Sequence, residues 1–333
     1  GSMQALREMT ACYTGYADEK YEPYDLAAQI LLTAFSAVGD ETVLSGLEKY
    51  LSPEHQPACY AFIDEWNASA EQEKLFEIAD DITERMRLTE RLEKVDTAIL
   101  MQSDSLPCID AVIIERFLQE IAENVIKTEE ILKVTESRRT SKWYNRYAYL
   151  YDGLYYIAKM QEFHYAHITG FHFGTEKELW DSYCKELYWM DTYYRRLHMD
   201  FRKSLFNTLG TLDDLFKSAV VTAEHLYQNW YLSELNGSWN SLIKESVADG
   251  FSQNGILQQD DFYRRVVQPI ARESRVFVII SDALRYEVAT ELTEKLLRET
   301  NGTAKQSAMQ SVFPSITKFG MAALLPHKAL TIT

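Results

Sequence analysis

Two side chains near the C-terminal end are of the type and in the setting to do chemistry. Asp282 follows Val276–Ile280, a continuous β-branched and aromatic run, which is the composition of a strand covered on both faces in a parallel sheet. In open parallel sheets, ligands gather at the carboxyl ends of strands, so an acid there can take a metal ion. The other reading is that Asp282 caps the helix that follows, and both stay open. Thr317 follows Pro314, Ser315 and Ile316 where the next helix begins. A hydroxyl there meets free backbone N–H groups and the positive end of the helix dipole, which favour a bound phosphate and lower the cost of an alkoxide. Thr317 is thus a candidate nucleophile, or again a cap. Ser315 is a weaker alternative nucleophile.

Other candidates carry less. His164, His167 and His172 could be taken as a metal cluster. His164, however, falls one heptad beyond Ile157 on an aromatic seam, where a packed or hydrogen-bonded imidazole is expected. Arg138, Arg139 and Lys142, the Arg195–Arg196 pair and the mixed charges of residues 71–94 are expected to be solvated helix faces. The four cysteines (Cys12, Cys59, Cys108, Cys184) form no C-x-x-C pair. They fit neither a zinc site nor a disulfide framework and are expected to be reduced, mostly buried thiols of a cytoplasmic protein.

The chain has 333 residues and a formal net charge of −16. Phosphates repel such a surface, so direct nucleic-acid binding is not expected. No apolar run approaches the length that spans a bilayer, and no signal pattern opens the chain.

The elements that must position Asp282 and Thr317 are mostly helices, since there are only 13 Gly and 7 Pro and apolar residues recur at helical spacing through the first 270 positions. Leu26, Ile30, Leu31, Ala34, Phe35 and Val38 form one stripe, with Asp25 and Gly39 as its caps. Ser52–Pro53 starts another helix. Leu75, Ile78, Ile82 and Met86 mark a third, and Ile113, Phe117, Ile121 and Val125 a fourth. Trp143, Tyr147, Leu150, Leu154 and Ile157 run on one helix, and Trp180, Tyr183, Leu187, Met190, Tyr194, Leu197 and Phe201 on the next, as a hairpin. Thr175 and Glu178 form a capping box at its turn. A third stripe from Leu212 to Trp230 completes a bundle, whose tyrosines suit a partly wet seam. Beyond the strand at 276–280, a helix is expected from Tyr286 to about Arg298, another from Lys318 to Leu325, and a further strand from Ala329 to Thr333. So few strands cannot cover themselves, which suggests a piece of a longer protein.

The blocks Val276–Ala289 (VFVIISDALRYEVA) and Phe313–His327 (FPSITKFGMAALLPH) resemble the start of the PglZ domain, a component of bacterial BREX phage-defence systems within the alkaline phosphatase superfamily. The resemblance is looser back to about Glu224, including Trp230-Tyr-Leu and Asp261-Phe-Tyr. It implies that Asp282 is a ligand of a divalent metal. It also implies that Thr317 is the nucleophile of a Pro-x-x-Thr motif, the metal depressing the hydroxyl pKa and clamping a phosphoryl oxygen. Lys318-Phe319-Gly320 departs from the phosphodiesterase pattern of the superfamily, and His327 has no assigned role. Superfamily enzymes hold two metals through several Asp and His residues, most of them downstream of the nucleophile.

The expected protein is mainly α: an N-terminal helical region (3–135), an aromatic helical bundle (136–272) and the truncated start of an α/β alkaline-phosphatase-like domain (273–333). Its parent is expected to cleave phosphate esters with zinc or manganese alongside other BREX proteins, the fragment itself being inactive and metal-free. The alternative is a scaffold that docks partners of the defence complex.

Overall fold

A computed structural model describes residues 2–17, 20, 22–36, 42–206, 209–244 and 255–330, and they are mainly α-helical. Two compact units divide the chain. One comprises Gly1–Gln161 with Leu197–Ala223, and the other Glu162–Arg196 with Glu224–Thr333.

The first unit begins with α1 (Ser2–Thr14) and α2 (Pro23–Phe35). Pro23 opens α2 after Glu22, so Asp25 lies within the first turn and accepts from the Tyr50 hydroxyl (3.0 Å) instead of capping. Val38 and Gly39, the other end of that stripe, lie outside the described residues. Gly15, at φ +73°, lets the chain leave α1 against Ser52, whose Oγ would stand 2.2 Å from a Cβ there. Ser52–Pro53 opens a single 3-10 turn, after which α3 (Gln56–Asn67) starts. Next come α4 (Gln72–Met86), α5 (Leu88–Leu92), α6 (Thr97–Leu100), α7 (Pro107–Ala122) and α8 (Thr128–Arg138). The α7 stripe buries Ile113, Phe117 and Ile121 but not Val125, because Asn124 turns left-handed (φ +62°) and ends the helix.

Leu31, Leu32, Ile63, Ile82, Leu118 and Trp143 are inaccessible to water. Burying each such side chain contributes about 1.5–3 kcal/mol. Arg138, expected on a solvated face, is instead in this core at 3% exposure. Its guanidinium donates to the carbonyls of Ser103 (2.9 Å) and Leu100 (3.2 Å) and faces Asp110 at 3.4 Å. The Tyr151 hydroxyl donates to the same carboxylate (2.5 Å), and burial holds the Asp110 pKa above the usual range. Lys142, also expected in solvent, is buried between Asp64 and Asp104. Buried cations of this kind are held by a paired carboxylate together with hydrogen bonds, here from Nη1 and Nη2 of Arg138, whose Nε only faces Asp110.

Four helices follow: α9 (Tyr144–Ala166), α10 (Glu176–Ser182), α11 (Tyr188–Ser204) and α12 (Thr211–His225). Within the first unit, Gly153 of α9 lies so close to Phe216 of α12 that an added Cβ would stand 2.3 Å from the ring. Phe201 meets the same ring edge-on.

In the second unit Thr175 caps α10 as its spacing predicts, accepting from the Glu178 N–H. Glu178 itself reaches back to the Gly174 N–H (2.9 Å). The seam does not run on as a plain α-helix. A π-turn at Tyr183–Leu187 joins α10 to α11, and a second at Leu226–Leu232 joins α12 to α13 (Ser233–Ile243). Each inserts a residue into the helical ladder and re-aims the side chains that follow. The unit continues through α14 (Gln268–Ala271), α15 (Tyr286–Glu299) and α16 (Thr317–Leu324).

The expected strand at Val276–Ile280 is not formed, and Phe277 and Ile279 are 81% and 91% exposed. A strand needs a neighbour to take its backbone N–H and C=O groups. Among the described residues, the pairing of this kind is the isolated parallel bridge between Gln258 and Gln310. Of the second expected strand, Ala329 and Leu330 are likewise not in a ladder, and residues 331–333 lie outside the described residues. The four cysteines are unpaired. Cys59 and Cys108 are buried, which pushes their thiols up to about 11 and about 12, Cys184 is half-buried and Cys12 exposed, so full burial holds for two of the four. No described helix is long and apolar enough to cross a membrane.

Candidate functional site

Asp282 is exposed, in the turn that precedes α15, and Thr317 is exposed as the first residue of α16. No hydrogen bond or ion pair joins them. Neither side chain caps a helix. The cap position of α15 is Arg285 and that of α16 is Ile316, both without a side-chain cap bond. Of the two readings open for each residue, capping is therefore absent, and both polar groups stand free at helix mouths.

What holds the Asp282 turn is built from residues on either side of it. Ala283 has a left-handed backbone (φ +57°), a conformation that costs a residue with a Cβ about 1–2 kcal/mol. Three successive residues, Arg285, Tyr286 and Glu287, anchor α15 within the second unit. Arg285 faces the Asp191 carboxylate at 3.7 Å and reaches the Tyr227 hydroxyl (3.5 Å). Tyr286 donates to the Cys184 carbonyl (2.9 Å) and packs edge-on against Tyr188. Glu287 is 1% exposed and takes a hydrogen bond from Arg195 Nε at 2.8 Å. Arg195 and Arg196 both close on Glu291, one turn further along α15. The arginine pair expected in solvent thus clamps the helix that follows Asp282.

Asp191 is the centre of this support. It is 4% exposed on α11, and the hydroxyls of Tyr183 (2.7 Å) and Tyr227 (2.5 Å) donate to its two oxygens. Tyr231 divides its hydroxyl between the Leu187 carbonyl (3.0 Å) and Asp191 (3.3 Å). Burial first, and then the charge of Asp191, pushes all three phenols up, so they remain donors. The wet tyrosine seam expected from composition is, at Tyr227 and Tyr231, a dry one, because a buried carboxylate takes the hydroxyls that water would have taken. Tyr183 precedes Asp191 by eight residues, while Tyr227 and Tyr231 lie 36 and 40 residues beyond it. No local spacing announces that convergence; both π-turns are needed to make it.

The histidines do not form a metal cluster. His164 is packed edge-on against Trp230 (4.4 Å), and burial lowers its pKa. His167 stacks on Phe163, and His172 hydrogen-bonds the Thr169 carbonyl (2.6 Å). His327 bonds the Leu325 carbonyl through Nδ1 (2.7 Å). Among the described residues no group of three or more His, Cys, Asp and Glu could hold a metal ion. Asp282 is one carboxylate where a stable site takes three or more protein ligands, so these residues do not by themselves fit the two-metal centre of a phosphatase.

Residues 262–333 match the model of the BREX system PglZ alkaline phosphatase-like domain. That stretch holds Asp282, Thr317 and the α15 anchor, and marks the chain as one of the alkaline phosphatase-like proteins. Similarity extends well beyond it. The chain is 31% identical, over 98% of its length, to the alkaline phosphatase-like protein BrxZ of Escherichia coli O9:H4 (strain HS). It is 28% identical over 93% of its length to the alkaline phosphatase-like protein PglZ of Bacillus cereus (strain H3081.97). The chain belongs to the PglZ family of BREX systems. It spans 38% and 36% of the length of those two relatives. No solved structure matches it.

Proposed function

We propose that residues 273–333 open a phosphoester-cleaving domain, preceded by the helical regions 3–135 and 136–272, in a phage-defence protein that works with other BREX proteins. Thr317 is the nucleophile: its oxygen forms the new bond to phosphorus, the ester oxygen leaves as the alcohol, and the threonine proton passes to solvent or to that leaving group. Asp282 contributes one carboxylate toward a divalent cation, zinc or manganese. The chain alone, with a single such ligand, turns over no substrate.

The observation that carries this reading is the anchoring of the Asp282 turn. A buried carboxylate, three phenols and two arginines are organised around the start of α15, and the one exposed, uncommitted acid at that start is Asp282. Rigid support behind an exposed acid is what a ligand needs to be held in place. The test uses a polypeptide of the length of the relatives, assayed with bis-p-nitrophenyl phosphate and manganese. Thr317→Ala should abolish hydrolysis while leaving the circular dichroism spectrum unchanged; unchanged turnover removes the nucleophile. A scaffold role is the second reading, favoured by the exposure of Phe277, Ile279 and Phe313. It predicts no turnover by any variant or by the parent.

A further inference from the structure

The charged stretch between α4 and the end of α5 is largely exposed, as expected, but its charges are unevenly distributed. Within the first unit it borders a cleft of about 870 Å³ lined by Lys49, Arg85, Arg87, Arg91 and Lys94, with Glu90 as the single carboxylate on the wall. Five cations against one acid is an inversion of the whole chain, which carries −16. Such a concentration of one sign along a concave wall raises the local potential and attracts the opposite charge.

The cations are held to different degrees. Arg91 is fixed by the backbone: Nη1 donates to the carbonyls of Val43 and Ser45 (both 2.9 Å) and Nε to that of Met86 (3.2 Å). Its Nη2 bonds none of the described residues. Arg85 is held over the Tyr24 ring (4.7 Å) and paired with Asp81 (2.8 Å). Lys49 sits over the Tyr50 ring (4.3 Å). The side chains of Arg87 and Lys94 make no hydrogen bond or ion pair with a described residue. Arg87 moreover holds a left-handed backbone (φ +50°) where α4 gives way to α5. That conformation costs about 1–2 kcal/mol for a residue with a Cβ, and glycine would adopt it freely.

We propose that this cleft binds the polyphosphate chain of a nucleoside di- or triphosphate, with Arg87, Lys94 and Nη2 of Arg91 as donors. The volume suits a single nucleotide. Planar guanidinium forks match phosphate oxygens, and a fixed Arg91 loses little entropy on binding. The inference is independent of the role given to Asp282 and Thr317, which lie in the other unit.

Titration calorimetry of this chain with ATP, ADP and inorganic triphosphate tests it. ATP and triphosphate should bind, ADP more weakly, and added salt should weaken all three. A comparable affinity for triphosphate identifies the phosphate chain as the recognised part, and a clear preference for ATP adds the nucleoside. Charge-assisted hydrogen bonds are strong enough that Lys94→Gln and Arg87→Gly should each weaken binding about tenfold. Arg87→Gly should at the same time raise the melting temperature, because it relieves the left-handed residue. Lys94 is exposed, so its variant folds and keeps the test decisive. No heat with millimolar ATP or triphosphate, affinities unmoved by both substitutions, or tighter binding of a single-stranded oligonucleotide than of ATP would overturn the proposal.

Discussion

Arg285 stands 3.7 Å from Asp191, and the two join the turn carrying Asp282 to a carboxylate buried among tyrosines. Arg285 is half exposed, so the pair itself contributes little. The weight lies on Asp191. Removing it takes the acceptor from the Tyr183 and Tyr227 hydroxyls. Asp191→Ala should lower unfolding stability by about 3–5 kcal/mol in urea denaturation. Asp191→Asn, which keeps an acceptor, should cost less. Equal and small losses for both would show that the tyrosines find other partners.

Ala283 offers a change of opposite sign. Its φ of +57° is strained for alanine and free for glycine. Ala283→Gly should therefore raise stability by up to about 1 kcal/mol, less the backbone entropy that glycine gains when unfolded. A melting temperature that falls would mean that the turn does not hold this conformation in solution.

Gly153 predicts a large loss at a position that composition alone would leave neutral. A methyl group there meets the Phe216 ring at 2.3 Å. Gly153→Ala in α9 gains helix propensity but overpacks this contact, and the net should be a destabilisation of about 1–3 kcal/mol. Pairing it with Phe216→Leu should recover part of the loss, and a double variant no better than the single one would contradict the contact.

His164 gives the pH dependence. Burial against Trp230 lowers its pKa below the usual 6.5, so the folded state favours the neutral ring. The unfolded chain then binds more protons, and the stability from this residue is present above pH 6.5 and lost as pH falls through the folded value. His164→Phe should flatten that part of the stability profile. An NMR titration of His164 with a midpoint above 6.5 would reverse the sign.

Much of the fold is legible in the residues. The stripe at 75–86 falls on α4, that at 113–125 on α7 up to Ile121, and that at 143–157 on α9 from Tyr147 onward, and Thr175 caps α10 as its spacing requires. Local rules suffice there, because each depends on neighbours within a turn. They fail where partners are distant. Arg138 and Arg195 look like surface arginines until Asp110 and Glu287 are brought to them across 28 and 92 residues. Val276–Ile280 has a strand's composition, but composition cannot supply the second strand that would pair with it. For the site, Asp282 and Thr317 could be picked out by position and by resemblance. The Asp191 cluster behind them could not, since two π-turns shift the register of its tyrosines.

The most direct measurement is the manganese dependence of bis-p-nitrophenyl phosphate turnover by the full-length relative of this chain carrying Asp282→Asn or Thr317→Ala. If Asp282 is a metal ligand and Thr317 the nucleophile, Asp282→Asn should raise the manganese concentration for half-maximal rate by at least about tenfold. Thr317→Ala should abolish turnover yet bind manganese as the parent does. Two variants with the parent's rate and metal requirement would contradict both assignments at once.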